Sequence, residues 1–380
     1  MLTVEREQVL AYRLHSQHLD ARLPDGGLWT AAGTCGVQDT PAGSARVALR
    51  ARVHLSAGDL DRAFSDRELV VLWSVRGAPN AVPVSDIEVF TTGALPADEE
   101  SFRVFLQGQA GEVDRWDAAP GEALERVGAA MARALGDGVL SKGALSTAVT
   151  AAVPGFAFWC RTCDADHVPE GLFRAAAMSA GVVLAVGEDD SGLTRTERWL
   201  GRSAPSIKPG EARAELARRY LHAYGPATPA LFAEWTQRSR ADARDAFGSV
   251  EDELVEVEMD GRSAFLLAVD EPVLAAPPQA TGVRLLPPHD PYLQQRDRAT
   301  LVPDKAVRSL VWRPVSGPGV VLVDGTVSGT WRARKRGTAL AVDVRPLAAP
   351  GKAARALLEE EAEALAEVRG LRSVQLHVDA

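Results

Sequence analysis

Apolar positions in the first part of the chain repeat with a helical period and then with an extended one. Val9, Leu10 and Leu14 predict a helix over residues 5–16. The same pattern predicts, in chain order, a helix that ends near Gly36, helices over about 41–52 and 58–64, and strands over 68–75 and around 81–84. Helices followed by a two-stranded ribbon are typical of a winged-helix unit.

The helix and ribbon pattern recurs twice. A second set comprises helices over 122–135 and 141–151 and a strand over 180–186. A third set comprises helices over 213–224, 228–238 and 240–247, and strands over 254–259 and 263–269. The Asp260-Gly261 dipeptide between the last two strands favours a tight hairpin turn. Three such sets predict three winged-helix units in tandem.

Beyond the Pro-rich segment 272–279 the pattern changes to short strands. These are predicted over 283–286, 319–323, 326–331 and 338–344, with Asp324-Gly325 turning one hairpin and residues 332–337 turning the next. An acidic helix over 353–368 and a strand over 373–378 complete the chain. The fold class is therefore α+β, with three tandem winged-helix units plus a small antiparallel β-barrel. The modules are the winged-helix units 1–105, 106–207 and 208–272, a β-barrel with a basic hairpin over 280–347, and a C-terminal helix and strand over 348–380.

Composition is that of a globular protein, and charge is unevenly distributed. The 380 residues are 46% hydrophobic and 24% charged, and neither an apolar run long enough to span a membrane nor a signal-peptide core is visible, so we expect a cytoplasmic protein without membrane partners. The net charge of −9 is unusual for a nucleic-acid binder. However, residues 284–336 hold ten basic and four acidic side chains, whereas 86–125 hold ten acidic and two basic ones. A cationic face on an acidic protein is therefore expected.

The candidate chemistry begins at residues 34–41, where Gln38 and Asp39 lie between a glycine and a proline. Asp39 or Thr40 can cap a helix that begins near Pro41, and capping is the simplest structural role for both. The arginines that follow, Arg46, Arg50 and Arg52, are expected to face phosphate or solvent. Arg46 and Arg50 are four residues apart and would share one helix face.

Three cysteines argue against a disulfide framework. Cys160, Cys163 and His167 have a spacing that zinc sites use, with Cys35 or Asp164 as a fourth ligand, but no second ligand pair is visible. We therefore favour a loop of reduced, semi-buried cysteines and expect no metal. The chain has neither a P-loop nor a dinucleotide-binding fingerprint, so no cofactor is expected.

Five segments carry a resemblance to a known family. They are Gly36-Val37-Gln38-Asp39-Thr40, Trp73-Ser74-Val75-Arg76-Gly77-Ala78-Pro79, the run 220–229 (YLHAYGPATP), the run 288–298 (PHDPYLQQRDR) and the run 321–331 (VLVDGTVSGTW). The last two are the most specific. Together these segments resemble the winged-helix family of bacterial DNA glycosylases related to AlkZ and YcaQ, over nearly the whole chain.

The resemblance implies an enzyme that hydrolyses the N-glycosidic bond of bulky N7-alkylated or crosslinked guanine in double-stranded DNA. Self-resistance to a DNA-alkylating natural product is one setting for such an activity. Gln38 matches the first glutamine of the family motif, Thr40 matches the second, and a carboxylate stands one position early at Asp39. Asn80 follows Arg76-Gly77-Ala78-Pro79, where many relatives have a histidine. We expect Gln38 to position water and Asp39 to act as the anionic group, with Thr40 a weaker candidate.

Basic residues supply the candidate DNA contacts. The hairpin run 332–336 concentrates positive charge, and the full set is Arg46, Arg50, Arg76, Arg296, Arg298, Arg332, Arg334, Lys335 and Arg336. A solvated turn is the competing interpretation of the hairpin. Two other functions stay open for the chain, a monomer by expectation: a DNA-binding protein that has lost the chemistry, and an interaction module that no longer binds DNA.

Overall fold

The computed structural model describes residues 2–185 and 192–379. It is a mixed helix and strand structure in which two compact units can be distinguished. The first unit comprises Met1–Ala63, Arg219–Thr228 and Asp252–Ala380, and the second comprises Phe64–Arg218 and Pro229–Glu251. In the described ranges, none of the helices combines the length and the apolar composition needed to cross a lipid bilayer.

The first unit contains two sheets and the helices around them. Its helices are Arg6–Ser16, Leu28–Gly33, Ser44–Arg52, Ala57–Ser65 (which ends two residues into the second unit), Glu271–Ala275, Arg298–Leu301, Lys305–Val311 and Lys352–Val368. Its strands are Leu2–Val4, Val37–Gln38, Leu254–Met259, Arg262–Leu267, Val283–Leu286, Gly319–Val323, Thr326–Arg336, Ala339–Pro346 and Ser373–Val378. Leu2–Val4 pairs in parallel with Leu254–Met259, which forms an antiparallel hairpin with Arg262–Leu267.

The second sheet of this unit has five strands in sequence order from Val283–Leu286 to Ser373–Val378. Neighbouring strands are antiparallel except for the last pair, Ala339–Pro346 and Ser373–Val378, which are parallel. The sheet is open, so the prediction of a small antiparallel β-barrel is wrong. The reason is the helix Lys352–Val368, which packs Leu358, Ala362, Leu365 and Ala366 onto the apolar face of the sheet. This face is thus buried under a helix instead of inside a barrel.

The second unit is built around a sheet with the strand order Pro79–Pro83, Leu69–Trp73, Val182–Ala185 and Gly192–Arg195, all antiparallel. Leu72 pairs with Val183, so strands predicted in separate repeats belong to one sheet. Val186, the last residue of the predicted strand 180–186, lies outside the described residues. A small hairpin of Phe158–Cys160 and Ala165–His167 stands apart from this sheet.

Helices of the second unit are Ile87–Phe90, Glu99–Leu106, Pro120–Leu135, Lys142–Ala152, Glu170–Ser179, Thr196–Leu200, Pro229–Thr236 and Arg240–Gly248, together with the first part of Pro209–Tyr224. The predicted helices over 122–135, 141–151 and 240–247 are each confirmed to within two residues at either end. The amphipathic pattern is clearest in Pro120–Leu135, which buries one apolar stripe that includes Val127, Met131 and Leu135.

Candidate active site

The Gln38 segment joins a two-residue strand to a helix. Val37–Gln38 is extended, the Thr40–Pro41 peptide bond is cis, and the helix runs from Ser44 to Arg52. The predicted start near Pro41 is three residues too early. Gly43 has a φ of 86°, a left-handed conformation that cannot continue a right-handed helix, so the helix begins after it.

Asp39 contacts the beginning of this helix. Its Oδ1 accepts a hydrogen bond of 2.9 Å from the backbone N–H of Ala45. Burial raises the pKa of the Asp39 carboxyl, and hydrogen bonds from the backbone amides of Ala45 and Gly43 partly oppose that effect. This hydrogen bond is consistent with the capping role predicted for Asp39. The same contact holds a half-buried carboxylate beside Gln38 in a fixed position.

Gln38 is oriented by a second glutamine. Its Oε1 accepts a hydrogen bond of 3.2 Å from Nε2 of Gln294, and the same nitrogen donates to the carbonyl of His289 at 3.1 Å. Both hydrogens of the Gln294 amide are thus engaged, and the oxygen of Gln38 is directed toward Gln294. The run 288–298 contributes to the family resemblance, but the sequence alone assigned no role to Gln294 or His289.

Residues 287–298, here called the anchored loop, are fixed by one buried and one partly buried ion pair. Arg52 and Asp290 make two hydrogen bonds of 2.8 Å, and both side chains are buried. Arg13 donates to Gln295 and Asp297, both at 2.7 Å. The prediction that Arg52 faces phosphate or solvent is wrong, because Asp290, which is distant in sequence, neutralises it inside the protein. The anchored loop is consequently a rigid support for Gln294 and His289.

His289 is exposed and has a φ of 61°, a conformation that non-glycine residues seldom adopt. It lines a pocket of about 400 Å³ together with Pro41, Arg313, Trp331, Arg332 and Arg369. The pocket brings the segment after Gln38, the anchored loop and the first predicted hairpin cation together. Arg313 and Arg369 lie in no recognised motif, and no feature of the sequence pattern distinguishes them from other arginines, so the sequence did not predict them as site residues.

The basic residues 332–336 were predicted to lie in a turn, but they belong to a strand. Thr326–Arg336 pairs with Ala339–Pro346 up to Arg336 opposite Ala339, so the turn is Gly337-Thr338. Because side chains alternate along a strand, Arg332, Arg334 and Arg336 lie on one face and Lys335 on the other. All four side chains are exposed. Arg334 pairs with Asp343 at 2.6 Å, and Arg332 donates to the carbonyl of Ser316 at 2.5 Å.

The other predicted DNA contacts are dispersed. Arg46 and Arg50 lie four residues apart in the helix Ser44–Arg52 and are both half-buried; Arg46 pairs with Asp61 at 2.5 Å, and Arg50 lies near Arg22 and Glu361. Two further candidates, Arg76 and Arg296, are half-buried.

Arg76 belongs to the second unit, where it has a φ of 60° and donates to the carbonyl of Trp235 at 2.5 Å. Asn80, at the position of the relatives' histidine, is buried and donates to the carbonyl of Ala78 at 2.9 Å. In the first unit, Arg298 is exposed and lies over the ring of Trp312 at 5.1 Å. Thr40 is half-buried.

Comparison with known proteins defines the class of protein. A family model described as "DNA glycosylase AlkZ-like" matches residues 31–368, and the chain belongs to this family. The resemblance inferred from the five sequence segments is therefore confirmed.

Two individual proteins sharpen this assignment. The chain is 40% identical over 131 residues to a Streptomyces sahachiroi protein named "Interstrand DNA cross-link repair glycosylase". That match spans 33% of this chain and 35% of the relative, about a third of each. The solved structure of the Streptomyces sahachiroi DNA glycosylase AlkZ superposes with a TM-score of 0.76 over 100% of both chains at 22% identity, a likeness of fold.

Proposed function

We propose that this chain is a monofunctional DNA glycosylase that hydrolyses the N-glycosidic bond of bulky N7-alkylated or crosslinked guanine in double-stranded DNA. The observation that carries the proposal is the Gln38–Gln294 hydrogen bond beside a pocket bordered by His289 and Arg332. Family membership and the printed name of the Streptomyces relative, which refers to interstrand crosslinks, support the same substrate class. Self-resistance to a DNA-alkylating natural product is a fitting biological role.

Departure of the alkylated base needs little general acid catalysis. An N7-alkylated guanine already carries a positive charge, so when the bond from C1′ breaks, the electron pair neutralises the departing base. The sugar is left with oxocarbenium character, and a water adds to C1′. We assign Gln38 to hold that water and Asp39 to stabilise the positive charge and accept the proton that the water loses. A pKa raised by burial makes Asp39 a better proton acceptor. Thr40 is a weaker candidate for holding the water. A water nucleophile leaves an abasic site without cutting the strand.

DNA contact is assigned first to the exposed cations of the first unit. Arg332, Lys335, Arg336 and Arg298 are exposed, and Arg334 is exposed but shares its charge with Asp343. Arg46, Arg50, Arg76 and Arg296 are half-buried and would reach phosphate through part of the side chain. These contacts fix the register of the duplex and carry little sequence information.

We also propose that the three helix and ribbon sets, over 1–105, 106–207 and 208–272, are winged-helix modules that act together on one duplex. In this proposal the protein acts in the cytoplasm as a monomer. The helix and strand order of the third set, Pro209–Tyr224 through Arg262–Leu267, supports the modular interpretation.

A non-catalytic DNA-binding protein is the second candidate. It is favoured by the hydrogen bond from Ala45 to Asp39, which gives the carboxylate a purely structural use, and by Asn80 in place of an imidazole. The two candidates differ in whether an abasic site forms.

The deciding assay incubates purified protein with a duplex that contains one N7-alkylguanine and measures abasic sites as strand breaks after alkali. We expect breaks with the wild type and a return to background with Gln38→Ala and Asp39→Ala. Gln279→Ala serves as the control, because Gln279 is exposed and lies outside the site. Equal background in wild type and all variants, with DNA binding retained, would establish the non-catalytic candidate.

A further inference from the structure

The hairpin of Phe158–Cys160 and Ala165–His167 holds the chain's cysteine pair. Phe158 pairs with His167 and Cys160 with Ala165, and the connecting residues include Asp164 with a φ of 52°, which closes the turn. Each strand has only three residues. Two-stranded ribbons of this length are marginal in water without further support.

Three ligand atoms converge at the end of this hairpin. One atom from each of Cys160, Cys163 and His167 lies within 4.8 Å of the other two. In a tetrahedral zinc site, bonds of about 2.3 Å to sulfur and about 2.0 Å to nitrogen separate ligand atoms by roughly 3.5–3.8 Å. Side-chain movements of about 1 Å therefore suffice to close the three atoms around an ion.

The surroundings of the three ligands suit a metal. Nδ1 of His167 lies 2.8 Å from the carbonyl of Val168, so it donates there and leaves the lone pair on Nε2. That Nε2 atom is buried.

We propose that Cys160, Cys163 and His167 bind one Zn²⁺ ion, with a water as the fourth ligand, and that the ion holds the hairpin together. Mixed thiolate and imidazole ligands select zinc over magnesium or calcium. The hairpin presents Trp159, which is 56% exposed, and Arg161. The ion thereby fixes an exposed aromatic and an exposed cation on the second unit. The sequence favoured a loop of reduced, semi-buried cysteines without metal, but Cys163 is exposed.

Cys35 is a natural control because it is buried against the hydroxyl of Tyr224, and burial raises its pKa to about 11. It belongs to the first unit and does not belong to the ligand group.

The test measures metal content of the full chain purified without chelator from zinc-supplemented medium. We expect one zinc per chain in the wild type and in Cys35→Ser, and almost none in Cys160→Ser/Cys163→Ser. Zinc-free wild type, or a double variant that keeps its zinc, would overturn the proposal.

Two further measurements keep the outcome clear if the double variant folds poorly. Cobalt titrated into chelator-treated wild type should produce a thiolate-to-cobalt charge-transfer band. The apparent affinity for cobalt, read from that band, should be at least tenfold lower in His167→Asn. The intact mass of the unreduced wild type should retain both thiol hydrogens. A mass lower by those two hydrogens would identify a Cys160–Cys163 disulfide and overturn the zinc assignment.

Discussion

Arg52 and Asp290 form a buried, two-pronged ion pair that joins the helix after Gln38 to the anchored loop. Both hydrogen bonds are 2.8 Å long, and Asp290 also accepts the backbone N–H of Tyr292 at 2.9 Å. The pair sets the position of Gln294 relative to Gln38, since one glutamine lies on each of the joined segments. The geometry of the candidate active site thus depends on charges that never touch solvent.

Removing one member of this pair should destabilise the protein strongly. Asp290→Ala leaves the Arg52 guanidinium buried without its partner, and we expect the free energy of unfolding to fall by about 3–5 kcal/mol. Urea denaturation followed by circular dichroism measures the change. The exposed pair Arg355–Glu359 is the matched control, and Arg355→Ala should change stability by less than about 0.5 kcal/mol. A similar small effect for Asp290→Ala would contradict the anchoring role.

Gln294→Ala should slow base excision without weakening DNA binding. The variant removes the hydrogen bond that orients Gln38, and without that bond we expect the single-turnover rate to fall by about tenfold to a hundredfold. Thermal stability and affinity for undamaged duplex should match those of Gln279→Ala. An excision rate equal to wild type would show that Gln38 needs no support from Gln294.

The exposed arginines of the strand Thr326–Arg336 should account for part of the salt dependence of DNA binding. Arg332→Gln and Arg336→Gln should each reduce the slope of log K against log salt by about 0.9, because each variant neutralises one phosphate fewer. Arg334→Gln should have a smaller effect because Arg334 already pairs with Asp343. Arg355→Gln, on the helix Lys352–Val368, is the control. Identical slopes for all four variants and wild type would remove this strand from the DNA interface.

Stability should fall as pH decreases from 6.5 toward 4 because of His18. Burial, reinforced by the nearby charge of Arg52, lowers the pKa of His18 from 6.5 to about 4. The unfolded chain takes up a proton below pH 6.5 and the folded chain does so only near pH 4, so acid favours unfolding over that interval, by on the order of 2 kcal/mol. His18→Asn suits the positive φ of 56° and should remove this part of the pH dependence. Parallel curves for variant and wild type between pH 4 and 6.5 would contradict it.

Local pattern was enough to predict many elements. The strands Leu254–Met259, Val283–Leu286, Gly319–Val323 and Ser373–Val378 have the predicted bounds, because their apolar runs end at turn residues such as Asp260-Gly261 and Asp324-Gly325. The pairing and packing of these elements were harder to predict. The pairing of Leu72 with Val183 depends on packing between distant segments, and closure of the five-stranded sheet was wrong because a helix covers its face.

The candidate site shows the same division between local and distant information. Gln38 and Asp39 were recognisable in the sequence because a glycine and a proline flank them. Burial of Arg52 could not be foreseen, since its partner Asp290 lies 238 residues further along the chain. His289 and Gln294 belong to a recognisable motif, but only the fold shows that their neighbours Asp290 and Gln295 are the buried anchors while they face the site.

The central claim is that Gln38 and Asp39 perform chemistry, and Asp39→Asn tests it most directly. An asparagine retains an oxygen that can accept the Ala45 N–H, so the helix contact survives while the carboxylate is removed. Single-turnover excision of N7-alkylguanine from a duplex is the measurement. We predict a rate at least a hundredfold below wild type at unchanged melting temperature. A wild-type rate in Asp39→Asn, with a loss of stability in Asp39→Ala, would mean that Asp39 only caps a helix.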